Sequence, residues 1–278
     1  MSELYCLYHS GSGSTRMITG ILCDPLADHF PIKHTSVNRV RDHAALAASD
    51  LLILAFPTYH CHPSDSMLRF VRTLPVREQP QRAFILTTCG WFRGNSIRIL
   101  ARELRKKNVL TVGHATIRGP ASDGVVMSPI DFRILYRYGK DTAARLLRSH
   151  SEIDAILRKQ SCGENAPAFS WYAPLNAPNK YLGMLTSHLL KQRIHVLKEQ
   201  CINCGRCVAA CERGCFSSAD MTPVFSPGSC EFCLRCVHQC PQNAIVFSRR
   251  QVQQSRLTPE FYAQAETKIR TQLNKDVA

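Results

Sequence analysis

Several sequence patterns that would place this chain in common functional classes are missing. No apolar run approaches the roughly 18 residues of a membrane-spanning helix, so we expect none. The first residues carry neither a basic segment nor a long apolar segment, so no secretory signal is predicted and a cytoplasmic location is expected. Without a helix-turn-helix or an aromatic-spaced RNA motif, and with a single dense basic run at 102–107, we expect no nucleic-acid partner.

Two glycine motifs of nucleotide-binding proteins are also incomplete. Gly11 and Gly13 are followed by Arg16 at the place where the dinucleotide fingerprint needs a third small residue. No Gly-Lys-Ser/Thr triplet follows, which excludes a P-loop of the NTPase type. The C-x3-C-x2-C spacing of enzymes that cleave S-adenosylmethionine occurs nowhere.

Positive charge is abundant and unevenly distributed. The chain has 35 basic and 21 acidic residues, a formal net charge of +14. Residues 1–150 hold 20 of the basic residues against 11 acidic ones. Such an excess favours docking to a protein partner with an acidic surface, or steering of an anionic ligand.

Fourteen cysteines are present, and eight of them form two runs with the same spacing. The second run is followed at once by Pro241, and the spacing C-x2-C-x2-C-x3-C-P is that of bacterial-type ferredoxins with two [4Fe–4S] clusters. In such ferredoxins the fourth cysteine of each run ligates the other cluster. We therefore predict one cluster on Cys201, Cys204, Cys207 and Cys240, and the other on Cys230, Cys233, Cys236 and Cys211.

The two runs are an internal repeat with differences that leave alternatives open. Glu212 stands where the second run has Pro241, and Cys215 is a ninth cysteine of this region. Cys215 is interpreted as a small buried residue beside a cluster or as a ligand that replaces Cys211. A zinc site is disfavoured, because its four ligands leave no role for the central third cysteine of each run. Disulfides are disfavoured, because they need an oxidising compartment.

The N-terminal half alternates buried strands with helices. Apolar segments at 4–8, 51–56, 83–88 and 109–117 have the length and composition of buried parallel strands. Helical segments begin at 16 and span 96–107. The loop 10–15 combines serine, threonine and glycine between a strand and a helix start, which favours binding of an anion such as phosphate. We expect a doubly wound parallel α/β sheet with ligand loops at the carboxyl ends of its strands.

With the loop at 10–15, a second loop at 57–62 and a third at 88–94, the N-terminal part resembles a flavodoxin-like domain. Joined to a two-cluster ferredoxin, the whole chain resembles the flavodoxin–ferredoxin fusion family of bacteria and archaea. The resemblance implies a five-stranded parallel sheet of order 2-1-3-4-5, then a small α+β ferredoxin domain, with FMN as second cofactor. The expected units are a flavodoxin-like domain at 1–150, a linker or covering segment at 151–192, a ferredoxin-like domain at 193–250 and a C-terminal helix at 251–278.

The same resemblance implies the residues that hold FMN. The first loop would bind the phosphate, the second would line one side of the flavin ring, and the third the other. Tyr59 and Trp91 are the candidates for stacking on the ring. The alternatives are a partly buried loop anchor for Trp91 and a turn residue with its hydroxyl in water for Tyr59. The implied FMN residues are Ser10, Ser12, Gly13, Ser14, Thr15, Pro57, Thr58, Tyr59, His60, Thr88, Cys89, Gly90, Trp91 and Gly94.

Two functions follow from this composition of cofactors. The favoured one is an electron carrier that relays electrons between two [4Fe–4S] clusters and FMN, and on to a partner enzyme. The alternative is an FMN-dependent reductase of a small anionic substrate, fed by its own ferredoxin domain. A deep cleft over the flavin, closed by residues 118–180, would favour the reductase.

A redox sensor would need a partner module, and the sequence contains none. No acid–base pair or nucleophile constellation is evident, so no catalytic residue is assigned.

The charge of the flavin loops generates a prediction about the flavin potential. Segments 57–62 and 88–94 contain no Asp or Glu but carry His60, His62 and Arg93. Positive charge near the ring favours the reduced anion, so we expect a less negative hydroquinone couple than that of an acidic flavodoxin. Potentiometric titration measures this couple, and a value as low as that of the cubane clusters would contradict the prediction.

Overall fold

The computed structural model describes residues 3–128, 133–158, 163–165, 167, 173–219, 222–247 and 255–277. Five parallel strands form the main sheet in the order β2-β1-β3-β5-β6, and a two-residue strand β4 pairs antiparallel with β3. Counting the five parallel strands in chain order gives 2-1-3-4-5, the flavodoxin-like order. The predicted fold class is confirmed. The strands are β1 (Leu4–Tyr8), β2 (Ile32–Ser36), β3 (Leu51–Tyr59), β4 (His62–Pro63), β5 (Gln81–Cys89) and β6 (Val109–Arg118).

Helices cover both faces of this sheet. Met17, Ile18 and Leu22 of the first helix pack on one face, while Met67 and Leu100 belong to the core on the other. Both cores are closed because strands β1, β3 and β5 are apolar on both faces, as central parallel strands require. The helices are α1 (Ser14–Ala27), α2 (His43–Ala47), α3 (Asp65–Thr73), α4 (Ser96–Arg105), α5 (Ser122–Met127) and α6 (Thr142–Leu157), with short 3₁₀ turns at Val37–Arg39, Arg133–Tyr136 and Lys198–Gln200.

A smaller α+β unit follows at the C-terminal side. Its strands form two antiparallel pairs, β7 with β10 and β8 with β9. Its helices α8 and α9 lie at equivalent places in the two cysteine runs, as the internal repeat requires. Its core includes Phe216, Phe232 and Val237. The elements are α7 (Ala173–Lys191), β7 (His195–Val196), α8 (Arg206–Ala210), β8 (Phe216–Ala219), β9 (Thr222–Phe225), α9 (Arg235–Gln239), β10 (Ile245–Val246) and α10 (Pro259–Val277).

The segment between the two units is more helical than its composition indicates. The boundary expected after residue 150 falls inside α6, and the supposed linker contains the 19-residue helix α7. Its Pro174 lies in the first helical turn, where a missing N–H costs no hydrogen bond, so the prolines misled the interpretation as a loop. The predicted C-terminal helix is present as α10. No helix among the described residues is long and apolar enough to cross a membrane.

Helix α10 packs on the sheet domain although it follows the cysteine runs in sequence. Ile269 is buried in the same core as α1 and α6, and Tyr262 and Leu273 pack at its edge. The last helix of the chain therefore completes the first domain.

This packing predicts a stability effect that originates in the tail. Ile269→Ala removes a buried side chain and leaves a cavity, so the sheet domain should lose about 2–4 kcal/mol of unfolding free energy. Lys268→Ala, at the exposed neighbouring position, is the matched control and should change it by less than about 0.5 kcal/mol. Chemical unfolding followed by far-UV circular dichroism measures both. Equal effects of the two substitutions would contradict the packing of α10 on this domain.

Candidate functional site

A cavity of about 240 Å³ lies at the carboxyl edge of the parallel sheet. The three loops that follow β1, β3 and β5 meet there, as expected for a sheet of this type. Gly13 and Gly94 are the two predicted FMN residues that do not line it. The predicted residues that do are Ser10, Ser12, Ser14, Thr15, Pro57, Thr58, Tyr59, His60, Thr88, Cys89, Gly90 and Trp91.

Three of the four hydroxyl groups of the first loop are held by distant partners, while Ser10 Oγ accepts a hydrogen bond from the nearby Arg16 N–H at 3.2 Å. Ser12 Oγ accepts a hydrogen bond from the Tyr262 hydroxyl at 2.7 Å, and Ser14 Oγ lies 2.8 Å from the Tyr138 hydroxyl. Thr15 Oγ1 lies 2.8 Å from Thr88 Oγ1. These contacts fix the side chains that face the cavity before any ligand binds.

The backbone of this loop is suited to an anion. Gly13 has a φ of +134°, and a Cβ on it would lie 3.0 Å from the Tyr262 ring, so only glycine fits. The loop leads directly into α1, whose first N–H groups have no partner within the helix. Residues 10–15 contain hydroxyls and no carboxylate. This donor set fits a phosphate group.

The second loop makes a strained turn and is tied to α7. His60 and Cys61 adopt positive φ angles of 47° and 63°. Gly94, with a φ of 54°, packs directly on Cys61 and therefore supports the second loop from behind. His60 Nε2 lies 2.6 Å from Ser187 Oγ of α7. The covering segment thus contacts the cavity through this loop.

The third loop presents an exposed aromatic wall. Trp91 is 51% exposed and Phe92 is 72% exposed. The Arg118 guanidinium lies 5.1 Å from the centre of the Trp91 ring, a cation–π distance. Cys89 is buried, which raises its thiol pKa to about 11, although Arg93 and Arg118 act in the opposite direction. A thiol with such a pKa is neutral at pH 7 and is poorly nucleophilic.

Several lining residues were missed by the sequence analysis because they come from outside the three loops. Gly119, Pro120, Ala121, Ser122 and Asp123 follow β6 and belong to segment 118–180, whose closure over the flavin would favour a reductase. Glu231 and Phe232 come from the second cysteine run. A sheet order of 2-1-3-4-5 places the end of β6 beside that of β5, so the 119–123 segment could have been found from topology.

Asp123 and Glu231 bring two carboxylates to a cavity whose loops carry none. Burial alone would raise the pKa of Glu231, but the adjacent His9 and hydrogen bonds from Ser66 lower it to about 2. Glu231 is therefore ionised at neutral pH. Both carboxylates oppose the loop cations, so the shift expected for the flavin couple is smaller than the loop sequences alone indicate.

The cysteines of the first predicted cluster surround one small cavity. Cys201, Cys204, Cys207 and Cys240 line it together, with Ile202, Pro223 and Ile245 among its apolar walls. Cys240 belongs to the second run, so the structure brings it to the three cysteines of the first run. This is the crossed arrangement that the repeat predicts.

The second predicted set also draws on both runs. Burial raises the pKa of the Cys230 and Cys236 thiols, and the nearby Cys211 adds to the shift of both. The backbone N–H of Phe232 donates to Cys230 Sγ at 3.4 Å. Among the described residues, no group of three His, Cys, Asp or Glu side chains is arranged to hold a single metal ion. The four ligands of a [4Fe–4S] cluster lie further apart than those of a single ion, because the whole cluster lies between them.

Cys215 lies behind Cys211 and is 2% exposed. Its backbone N–H donates to Cys211 Sγ at 3.3 Å, while its own thiol donates weakly to the Arg213 carbonyl at 3.8 Å. Burial raises the pKa of Cys215 to about 12, and the nearby Cys211 adds to the shift. These contacts favour a buried supporting role over that of a ligand. N–H···S bonds of this kind tune cluster potentials.

Arg235 of the second run joins the cysteine unit to the first loop. It is 14% exposed and donates to the carbonyls of Gly11 at 3.0 Å, Ala210 at 2.9 Å and Ser10. Its guanidinium also pairs with Glu212 at 2.9 Å. One side chain thus connects both cysteine runs with the first loop.

Two carboxylates complete this interface. Glu212, which stands at the proline position of the repeat, accepts hydrogen bonds from Ser36 at 3.1 Å and Asn38 at 2.5 Å. Glu231 pairs with His9 at 2.7 Å, both being nearly fully buried, and accepts two hydrogen bonds from Ser66 at 3.0 Å. Glu212, which replaces the proline of the repeat, therefore lies where the first cysteine run contacts the sheet domain.

The second cysteine run comes directly against the cavity at this interface. A Cβ added to Gly11 would lie 2.9 Å from the Cys233 carbonyl and would collide with the Tyr59 hydroxyl. The Tyr59 hydroxyl thus points towards the first loop and the second cysteine run, and burial raises its pKa well above its usual value. Sequence reasoning missed this contact because the two segments are more than 200 residues apart.

Comparison with known proteins bears on both units. The sequence model of the 4Fe-4S binding domain matches residues 223–246, which include the second cysteine run. With the strand order of the sheet, this match decides the architecture. The chain is a fusion of a flavodoxin-like domain and a 4Fe-4S ferredoxin domain. An electron-transfer or redox role follows from this composition of domains.

Solved structures similar to the fusion align with its flavodoxin-like half. A short-chain flavodoxin associated with a non-canonical PDU bacterial microcompartment is 14% identical, with 56% of this chain and 99% of that chain covered and a TM-score of 0.43. A flavodoxin of Streptococcus pneumoniae TIGR4 is 15% identical over 56% and 99%, with a TM-score of 0.42.

A third similar structure is larger. Rubredoxin oxygen:oxidoreductase of Desulfovibrio gigas is 14% identical over 57% of this chain and 36% of its own, with a TM-score of 0.42. Because all three scores are low, the fold assignment rests on the strand order. No curated protein matches the sequence significantly.

The repeat supplies a matched test of the domain contact. Arg235→Lys keeps the charge but loses the guanidinium fork, so unfolding free energy should fall by about 2 kcal/mol. Arg206 occupies the equivalent position of the first run and is exposed, so Arg206→Lys should change it by less than about 0.5 kcal/mol. Anaerobic denaturant unfolding measures both, and equal stabilities of the two variants would contradict the role of Arg235.

Proposed function

We propose that the fusion relays electrons between two [4Fe–4S] clusters and a bound FMN, and passes them to or from a partner redox enzyme. The observation that carries this proposal is the shared wall. Glu231 and Phe232, which lie within the second cysteine run, line the cavity formed by the three sheet loops. A cluster held by Cys230 and Cys233 would be the immediate neighbour of a flavin in this cavity.

The chain's residues support each part of the relay. Residues 10–15 would hold the FMN phosphate, with Tyr262 and Tyr138 fixing the hydroxyls of Ser12 and Ser14. Residues 57–61 and 88–92 would enclose the ring. When bound, FMN exchanges one or two electrons and so links the single-electron chemistry of clusters to two-electron reactions. The Glu231 carboxylate at the shared wall is held by His9 at 2.7 Å, and both side chains are nearly fully buried.

Iron and flavin content test the cofactor set. Anaerobically purified protein should contain about eight iron atoms and about one FMN per chain. Four iron atoms or no flavin would contradict the proposal.

The paired residues Cys211 and Cys215 test the ligand assignment. Cys211→Ser removes a ligand, so iron content should fall towards about four per chain. Cys215→Ser makes the same substitution at a buried cysteine that is not a proposed ligand, so iron content should stay at about eight per chain. Iron loss in the Cys215 variant, with retention in the Cys211 variant, would reverse the assignment.

The contact of α10 with the first loop predicts an effect on FMN affinity. Tyr262→Phe removes the hydroxyl that donates to Ser12, so the Kd for FMN should rise by about fivefold, as expected for one hydrogen bond. Thr271→Ala is the control, because its hydroxyl bonds within α10 to the Thr267 carbonyl. Quenching of flavin fluorescence on titration of the apoprotein gives both constants. An unchanged Kd in the Tyr262 variant would show that the loop is fixed by other contacts.

A flavin-dependent reductase of an anionic substrate is the second candidate, and one observation favours it. A cleft lined with cations adjoins the flavin cavity at Trp91 and Phe92. Reduction of a small substrate there would use the same relay from the clusters.

A further inference from the structure

A second cleft, of about 600 Å³, lies on the other side of the aromatic wall. It shares Cys89, Trp91 and Phe92 with the flavin cavity, so the two cavities are separated by the third loop alone. Its remaining walls are β6, from His114 to Arg118, and the stretch from Gly139 to Glu152, which runs into α6. Three separate elements of the flavodoxin-like domain therefore converge on it.

The cleft gathers far more positive than negative charge. Its lining includes five cations from the third loop, from β6 and from the start of α6, against the two carboxylates Asp141 and Glu152. Asp141 is already paired with Arg145 at 2.5 Å. Burial raises the pKa of Glu152, although the nearby Arg148 acts in the opposite direction. The cations are Arg93, Arg118, Lys140, Arg145 and Arg148.

Most of this charge is available to a ligand. Arg93, Lys140 and Arg148 form no ion pair with any residue in the described part of the chain. His114 is half-buried, and burial together with Arg93 lowers its pKa, so it adds a neutral imidazole to the wall. Like charges held in one concave site repel each other, and a bound anion relieves that repulsion.

We propose that this cleft binds a small polyanion that carries phosphate or carboxylate groups. Guanidinium forks recognise both groups through paired hydrogen bonds, and the volume suits a metabolite-sized molecule. The half-exposed Trp91 supplies an apolar surface towards the flavin side. As a substrate site the cleft rests on the proposed flavin function, since reduced FMN on the other side of the third loop would supply the electrons that the bound molecule accepts. As a binding site it stands independently of FMN.

Calorimetric titration of the FMN-loaded protein with inorganic pyrophosphate tests the site, with citrate as the carboxylate probe. Loading with FMN occupies the phosphate loop, so the signal comes from elsewhere. We expect saturable binding of one equivalent, and the tighter of the two probes identifies the preferred group. The double variant Lys140→Ser, Arg148→Ser should weaken binding by about tenfold or more.

The control variant Arg41→Ser, Arg158→Ser loses the same charge at exposed positions outside the cleft and should change the affinity by less than about twofold. Equal weakening in both variants, or no saturable binding of either probe, would overturn the proposal. The cations would then form a docking surface for an acidic protein. Flavin and iron content of the same samples separates this outcome from failure of the relay, because neither variant changes a cofactor ligand.

Discussion

The contact between Arg235 and the first loop is the constraint on which the rest of the site depends. A guanidinium that is 14% exposed must find partners for its donors, and here they are the carbonyls of Ser10, Gly11 and Ala210 with the carboxylate of Glu212. Breaking such a buried arrangement leaves an uncompensated charge, which is far costlier than losing a surface ion pair. The cysteine unit is thereby held on the carboxyl edge of the sheet, where ligands of parallel α/β sheets bind.

This position has a functional consequence. The second cysteine run contributes two lining residues, Glu231 and Phe232, to the cavity at the sheet edge, and α10 fixes a hydroxyl of the first loop, so one cavity is built from both units of the chain. A free-standing flavodoxin-like domain would lack both contributions. In the proposed relay, the second cluster, the flavin and the cationic cleft would be consecutive neighbours, which suits transfer over short distances.

The sequence predicted what local patterns encode. Continuous apolar runs located β1, β3, β5 and β6, and the cysteine spacing indicated the crossed ligand sets. The edge strand β2 was not located, because it is half-exposed and carries Lys33 and His34 on its surface, so no apolar run marks it. Helix α7 was hidden by its prolines.

Long-range contacts were beyond such patterns. Nothing near Glu212 or Arg235 indicates that they meet Asn38 and Gly11, since these contacts depend on how the two units are docked. The same holds for Tyr262, whose role follows from the packing of α10 on α1. Glu231 was likewise missed as a cavity residue, because it lies in the second cysteine run, which the sequence assigned to the clusters.

The central claim is that cluster and flavin are direct neighbours within one chain. Rapid photoreduction of the clusters in the anaerobic protein, followed by flavin absorbance, tests it most directly. Flavin reduction should be first order, with a rate constant that does not change with protein concentration. A rate constant proportional to protein concentration would mean transfer between molecules and would contradict the account.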